Sequence, residues 1–97
     1  MTLNQKLTRV IRGRSVVDVT TDATQSVVHF DDGSRMTVKL AGPPVAPNRR
    51  GTVTSVRQSG TSLDLDLGDG STIAFTTPDP MASVMVRAAD QSLEYAD

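Results

Sequence analysis

Two stretches of the chain alternate residue by residue between apolar and polar side chains. In the first, Val28, Phe30, Met36, Val38 and Leu40 share one face, and Val27, His29, Arg35, Thr37 and Lys39 share the other. In the second, Leu63, Leu65, Leu67, Ile73 and Phe75 point one way, and Asp64, Asp66, Thr72, Ala74 and Thr76 the other. A period of two is the mark of a half-buried strand in an antiparallel sheet. The stretches are copies in phase: a shift of 37 residues sets Val16 on Val53, Val19 on Val56, Phe30 on Leu67, Asp32-Gly33-Ser34 on Asp69-Gly70-Ser71, and Pro43 on Pro80. Two copies suggest a duplicated meander, since a solenoid needs three or more.

The alternation also fixes the turn. Residues opposed across an antiparallel pair share a face, so inward Phe30 must oppose an inward residue. A two-residue Asp32-Gly33 turn would set Phe30 against outward Arg35. A three-residue loop, Asp31-Asp32-Gly33, sets it against Ser34 and pairs Val28 with Met36. The same count pairs Leu67 with Ser71 and Leu65 with Ile73. Both glycines are therefore read as left-handed backbone positions rather than ligand loops. In the first strand of each copy the valines are three apart (Val16 and Val19, Val53 and Val56), a spacing that a β-bulge reconciles.

The strands expected are 15–21, 26–31, 34–40, 52–58, 62–67 and 71–77. They give a mainly β domain spanning 1–97: unit one at 14–40, a proline-rich linker at 41–51, unit two at 51–77 and a C-terminal hairpin at 81–97. Three prolines make the linker extended and largely unpaired. At the N-terminus Thr2 and Gln5 form a capping-box pattern, with Leu3, Leu7, Val10 and Ile11 on one helical face ended by Gly13, although residues 7–12 could also begin a strand. Two duplicated three-strand antiparallel meanders of this size close into a small barrel or a sandwich, with a possible short N-terminal helix.

Composition narrows the chemistry. Ninety-seven residues suffice for one core, poor in aromatics because Phe30, Phe75 and Tyr95 are the only ones. The absence of cysteine removes disulfides, thiolate metal sites and a cysteine nucleophile. The first residues lack a signal-peptide core and no apolar run is long enough for a bilayer, so a cytoplasmic location and no membrane partner are expected. His29, the only histidine, shares a strand face with Asp31, but a metal site needs three or four ligands. Asp64-Leu65-Asp66-Leu67-Gly68-Asp69-Gly70 puts glycine at the fifth position of a would-be calcium loop and aspartate at the sixth, so it reads better as a strand with an acidic outer face. No nucleotide-binding glycine motif occurs, and no acid is marked out for general acid–base work. No cofactor is implied, and no enzyme is expected.

Charge is divided. Residues 1–50 hold eight Lys/Arg against four acids, and residues 51–97 hold two against seven. Arg9, Arg12 and Arg14 precede unit one, and Arg49 and Arg50 precede unit two at the matching phase. Arginine forks bind carboxylate or phosphate bidentately, so these five form the candidate binding site. The expected function is a non-enzymatic interaction module, a small regulator, inhibitor or adaptor that binds a protein partner and self-associates through its opposite charges. Nucleic acid or a small anionic nucleotide bound through the same arginines is the second reading. In pattern, the paired V-x-x-V…V-x-F-D-D-G units over 14–40 and 51–77 resemble the small SH3-like barrels of KOW and Tudor type. Those barrels bind RNA, DNA or protein, so the resemblance leaves the partner open.

Overall fold

A computed structural model describes residues 2–78 and 84–96. Its elements are β1 (Thr2–Leu3), α1 (Gln5–Ile11), β2 (Ser15–Thr21), β3 (Gln25–Phe30), β4 (Arg35–Lys39), β5 (Gly51–Ser59), β6 (Ser62–Leu67), β7 (Thr72–Thr76), β8 (Val84–Arg87) and β9 (Leu93–Ala96). All ladders are antiparallel. The sheet runs β7-β6-β5-β2-β3-β4-β8-β9, and β1 also pairs with β5. The C-terminal hairpin expected at 81–97 is present as β8 and β9; residues 81–83 and 97 lie outside the described residues.

The repeat extends to the irregularities of its strands, although β5 runs one residue beyond the β2 equivalent at each end. β3 and β4 map onto β6 and β7 residue for residue at a shift of 37. The bulges fall at equivalent points, between Val16 and Asp18 and between Val53 and Ser55. Both turns are three-residue loops, closed by Phe30 N–H to Ser34 O (3.0 Å) and Leu67 N–H to Ser71 O (2.9 Å). Gly33 and Gly70 take φ of 86° and 87°, where a Cβ is disfavoured. A third copy of the turn closes the last hairpin: Ala88 N–H reaches Ser92 O at 2.8 Å, and Gln91 takes φ 73°. In all three, an aspartate (Asp32, Asp69, Asp90) accepts from both the backbone N–H and the hydroxyl of the serine two residues on.

The two units meet where each begins. Ser15 pairs with Thr52, its own equivalent 37 residues on, and their hydroxyls lie 3.1 Å apart. A ladder that pairs a residue with its repeat equivalent has a local two-fold axis at that point, and the order β7-β6-β5 then β2-β3-β4 is symmetric about it. Bonds around the axis come in matching sets. Asp31 N–H reaches Ser15 O at 2.9 Å and Gly68 N–H reaches Thr52 O at 2.8 Å; Leu40 N–H reaches Thr24 O at 2.8 Å and Thr77 N–H reaches Thr61 O at 2.7 Å.

The units also exchange edge cover. The segment after unit one lies on β7, with Ala41 N–H to Thr76 O (2.8 Å) and Val45 bridged to Ala74. The segment after unit two, β8, lies on β4. The linker is thus not the unpaired spacer its prolines suggest; it hides the backbone edge that β7 would otherwise expose.

The N-terminal residues form a helix, but not with the expected cap. Asn4 is the N-cap, its Oδ1 accepting from Leu7 N–H at 3.0 Å. Leu3 lies in β1, 44% exposed, instead of on the helical face. Helix α1 hangs beside β5 between β1 and β2, and buried Thr8 completes the ladder there: its Oγ1 accepts from Val56 N–H at 3.0 Å. Leu7 and Ile11 drop into one core with Val16, Val28, Phe30, Met36 and Val38 of unit one, Val53, Val56, Leu63, Leu65, Ile73 and Phe75 of unit two, and Val84 and Val86 of β8.

Eight strands laid flat would span about 34 Å at 4.7–4.9 Å each, yet the molecule measures only 29 × 28 × 26 Å, so the sheet must curl. The far strand β9 returns to the β1–α1 corner, where Asn4 Nδ2 donates to the Tyr95 hydroxyl at 3.2 Å. Side chains make that meeting; among the described residues no ladder joins β9 to β1.

Candidate functional site

Of the five arginines expected to bind a partner, Arg14 and Arg50 are committed to partners within the fold. Arg14 is engaged internally. Its Nη1 and Nη2 reach Glu94 Oε1 and Oε2 at 3.0 and 2.5 Å, Nη1 also donates to Ser34 Oγ at 2.9 Å, and Nε lies 3.4 Å from Asp32. Glu94 is the extra residue where the β8–β9 register shifts, which frees it from the ladder to meet Arg14. The Glu94 hydrogen bond raises the Arg14 pKa against desolvation. Arg50 binds backbone: Nε donates to Val17 O at 3.1 Å, Nη1 to Pro47 O at 3.1 Å and Arg49 O at 2.9 Å, and Nη2 meets Asp18 at 3.2 Å. It fastens the linker to the β2 bulge. Arg9 lies in the last turn of α1, Arg12 caps it and Arg49 lies in the linker, all three exposed.

The outer face of unit two is a closed charge network. Arg57 Nε and Nη2 grip Asp66 at 2.8 and 2.9 Å, Ser55 Oγ and Thr72 Oγ1 each donate to the same carboxylate at 2.9 Å, and Arg57 lies 3.5 Å from Asp64. The Arg57 hydrogen bond, helped by the two hydroxyls, holds the Asp66 carboxyl below its ordinary range. Nothing is left over for a partner on Asp66.

The outer face of unit one is open by comparison. Register brings His29 opposite Arg35 across β3–β4 and Arg35 opposite Arg87 across β4–β8, and Leu93 of β9 lies beyond Arg87. Lys39 stands further along β4, opposite Gln25. Two arginines directly opposed on one face repel, and such pairs destabilise a sheet. Here no carboxylate among the described residues pairs with Arg35, Lys39 or Arg87; Arg87 Nη1 donates only to Gln91 O at 2.9 Å, and the His29 ring nitrogen lies 3.2 Å from the Thr20 hydroxyl. The one acid in the row, Asp18 opposite His29, already meets Arg50. Between the basic ends lies an apolar middle: Val27, Thr37 and Met85 in register, Met85 39% exposed. A shallow hollow of about 130 Å³ lined by Thr20, Thr21, Asp22, Gln25 and Val27 opens at the far end. It is well below the 300–1,000 Å³ of a typical small-molecule site.

Sequence reasoning placed His29, Arg35 and Lys39 on this outer face but did not assign them a role. What it lacked was Arg87, whose place opposite Arg35 depends on β8 crossing to β4. No helix among the described residues is long and apolar enough to cross a membrane, and no group of three or more metal-ligating side chains occurs among them. Comparison of the chain with protein-family models, curated proteins and solved structures finds no match in any of the three.

Proposed function

We propose that the protein is a non-enzymatic interaction module that binds an acidic protein partner on the outer face of β3, β4 and β8. The observation that carries this is the Arg35–Arg87 opposition, a repulsive pair without a carboxylate, flanked by His29 and Lys39. An arrangement that costs the free fold stability is relieved when a partner brings carboxylates, and arginine forks bind them bidentately. Arg35, Arg87 and Lys39 therefore take the role that the sequence suggests for Arg9, Arg12, Arg14, Arg49 and Arg50. Arg14 and Arg50 would have to surrender existing bonds to bind, while Arg9, Arg12 and Arg49 form a secondary basic fringe. The nucleic-acid reading loses support because the aromatics offer no stacking surface. Phe30 and Phe75 are buried, and Tyr95 packs on the core with its hydroxyl at Asn4. Asp66, enclosed by Arg57, Ser55 and Thr72, offers little to a second copy of the chain.

The test is an NMR titration with poly-aspartate at low ionic strength. Amide shifts should concentrate at residues 27–29, 35–39 and 85–87 and fade towards about 0.15 M salt, where charges more than ~8 Å apart are screened. The Arg35→Glu/Arg87→Glu double variant should keep its fold and lose the response. Shifts centred on Arg9, Arg12 and Arg49 instead would move the site to the fringe.

A further inference from the structure

The acidic-partner reading can be taken to a particular partner chemistry, because the charges on this face are spaced, not merely gathered. Along β4 the outward residues are Arg35, Thr37 and Lys39, so the two cations stand four residues apart, about 13 Å at 3.2–3.4 Å per residue. Each has its own neighbours in register. Arg35 has His29 on one side and Arg87 on the other; Thr37 has Val27 and Met85; Lys39 has Gln25. The face therefore reads basic, apolar, then basic along the strand direction, with Met85 as its exposed apolar centre.

From this layout we infer that the partner presents an extended segment of the pattern acidic–x–apolar–x–acidic, lying along β4 across the face of the sheet. The inference rests on the acidic-partner reading. In an extended chain, residues i, i+2 and i+4 share a face and repeat the spacing of Arg35, Thr37 and Lys39. One carboxylate then meets the Arg35–Arg87 pair, the apolar side chain covers Met85 and Val27, and the second carboxylate reaches Lys39. A helix matches less well: at 1.5 Å rise per residue its position i+8 comes nearest, about 12 Å along the axis, but it is turned about 80° away from position i, so two carboxylates so placed do not both point at the sheet. The segment contacts side chains on the face and adds no strand, because both edges of β4 are already occupied by β3 and β8.

The test compares two peptides of one composition by NMR titration, one with the pattern Glu-x-Leu-x-Glu and one with the glutamates adjacent and the leucine displaced to the end. Poly-aspartate serves as the charge-only probe. The spaced peptide should bind roughly tenfold more tightly, the contribution of one buried leucine side chain. The Met85→Gln/Val27→Thr variant, which keeps side-chain size and every charge, should lose that preference while its response to poly-aspartate stays unchanged. Equal binding of the two peptides by the wild-type chain overturns the inference and leaves the acidic-partner reading standing. If neither peptide nor poly-aspartate shifts this face, the reading itself falls, and the inference with it.

Discussion

Unit one and unit two carry the same strands, bulges and turns about a local two-fold axis, but they treat charge in opposite ways. On unit two, Asp66 stands where unit one has His29, Arg57 where it has Thr20, and Thr72 where it has Arg35. Those substitutions turn the outer face of unit two into a saturated network, with one carboxylate accepting from an arginine and two hydroxyls. On unit one the equivalent positions leave Arg35 between His29 and the Arg87 of β8, with no carboxylate among the described residues paired to it. The scaffold is indifferent to the choice, since both units keep the same register. A surface that satisfies itself adds rigidity and little else, whereas a surface left unsatisfied on an equally sound scaffold marks the face available to a partner.

The strongest way to break the comparison is to ask whether the units are separable at all. Phe75→Ala, in unit two, empties a fully packed position and should cost about 3–5 kcal/mol. Because the units share one core and exchange edge cover, hydrogen exchange should show β3 and β4 losing protection together with β6 and β7. Loss confined to unit two would mean that the units unfold independently.

Next comes the pair of turn glycines. Gly70→Ala places a Cβ at positive φ in open space and should cost about 1–2 kcal/mol. Gly33→Ala carries the same backbone strain and also brings its Cβ to 3.0 Å from the Ala89 Cβ, so it should cost several tenths more. Equal costs in chemical denaturation would show that the turn of unit one is not packed against the last hairpin. The third turn offers the reverse change: Gln91→Gly relieves a left-handed non-glycine and should stabilise by about 0.5–1 kcal/mol.

Acid titration sharpens the electrostatic contrast. The folded chain holds Asp66 low through Arg57, and it holds Asp32, Asp69 and Asp90 low through the hydroxyls of the following serines. A carboxylate whose folded pKa lies below its unfolded value of about 3.9 contributes stability that is present above that value and lost as pH falls through the folded one. Stability should therefore decline below about pH 4. Asp66→Asn should lower stability at neutral pH by up to about 1 kcal/mol, the ceiling for a solvent-screened pair, and flatten the acid decline.

The smallest effect has the most informative sign. Arg35→Glu converts the Arg35–Arg87 opposition into an attractive cross-strand pair and should stabilise the free protein by about 0.2–1 kcal/mol while weakening the response to poly-aspartate. Destabilisation by this change would mean that the two arginines are already compensated within the fold.

Much of the architecture was legible in the sequence because short-range physics sets it. Alternation identified the two hairpins, parity chose three-residue turns and so positive φ at Gly33 and Gly70, and the valine spacing located both bulges. Each of these depends on residues within a few positions of one another. The N-cap was less legible, since Thr2 and Asn4 are both good caps and only the pairing of Leu3 with Arg57 excludes the earlier start. What the tertiary structure alone decided is which strands and side chains meet at long range. Ser15 pairs with its own equivalent Thr52, the linker covers β7, β8 covers β4, Glu94 takes up Arg14, and Arg87 comes to stand opposite Arg35. Periodicity tells a strand which face is inward but not which neighbour lies at its edge. That choice is made when two units bury their apolar faces in one core, and it is there that the open cationic face was formed.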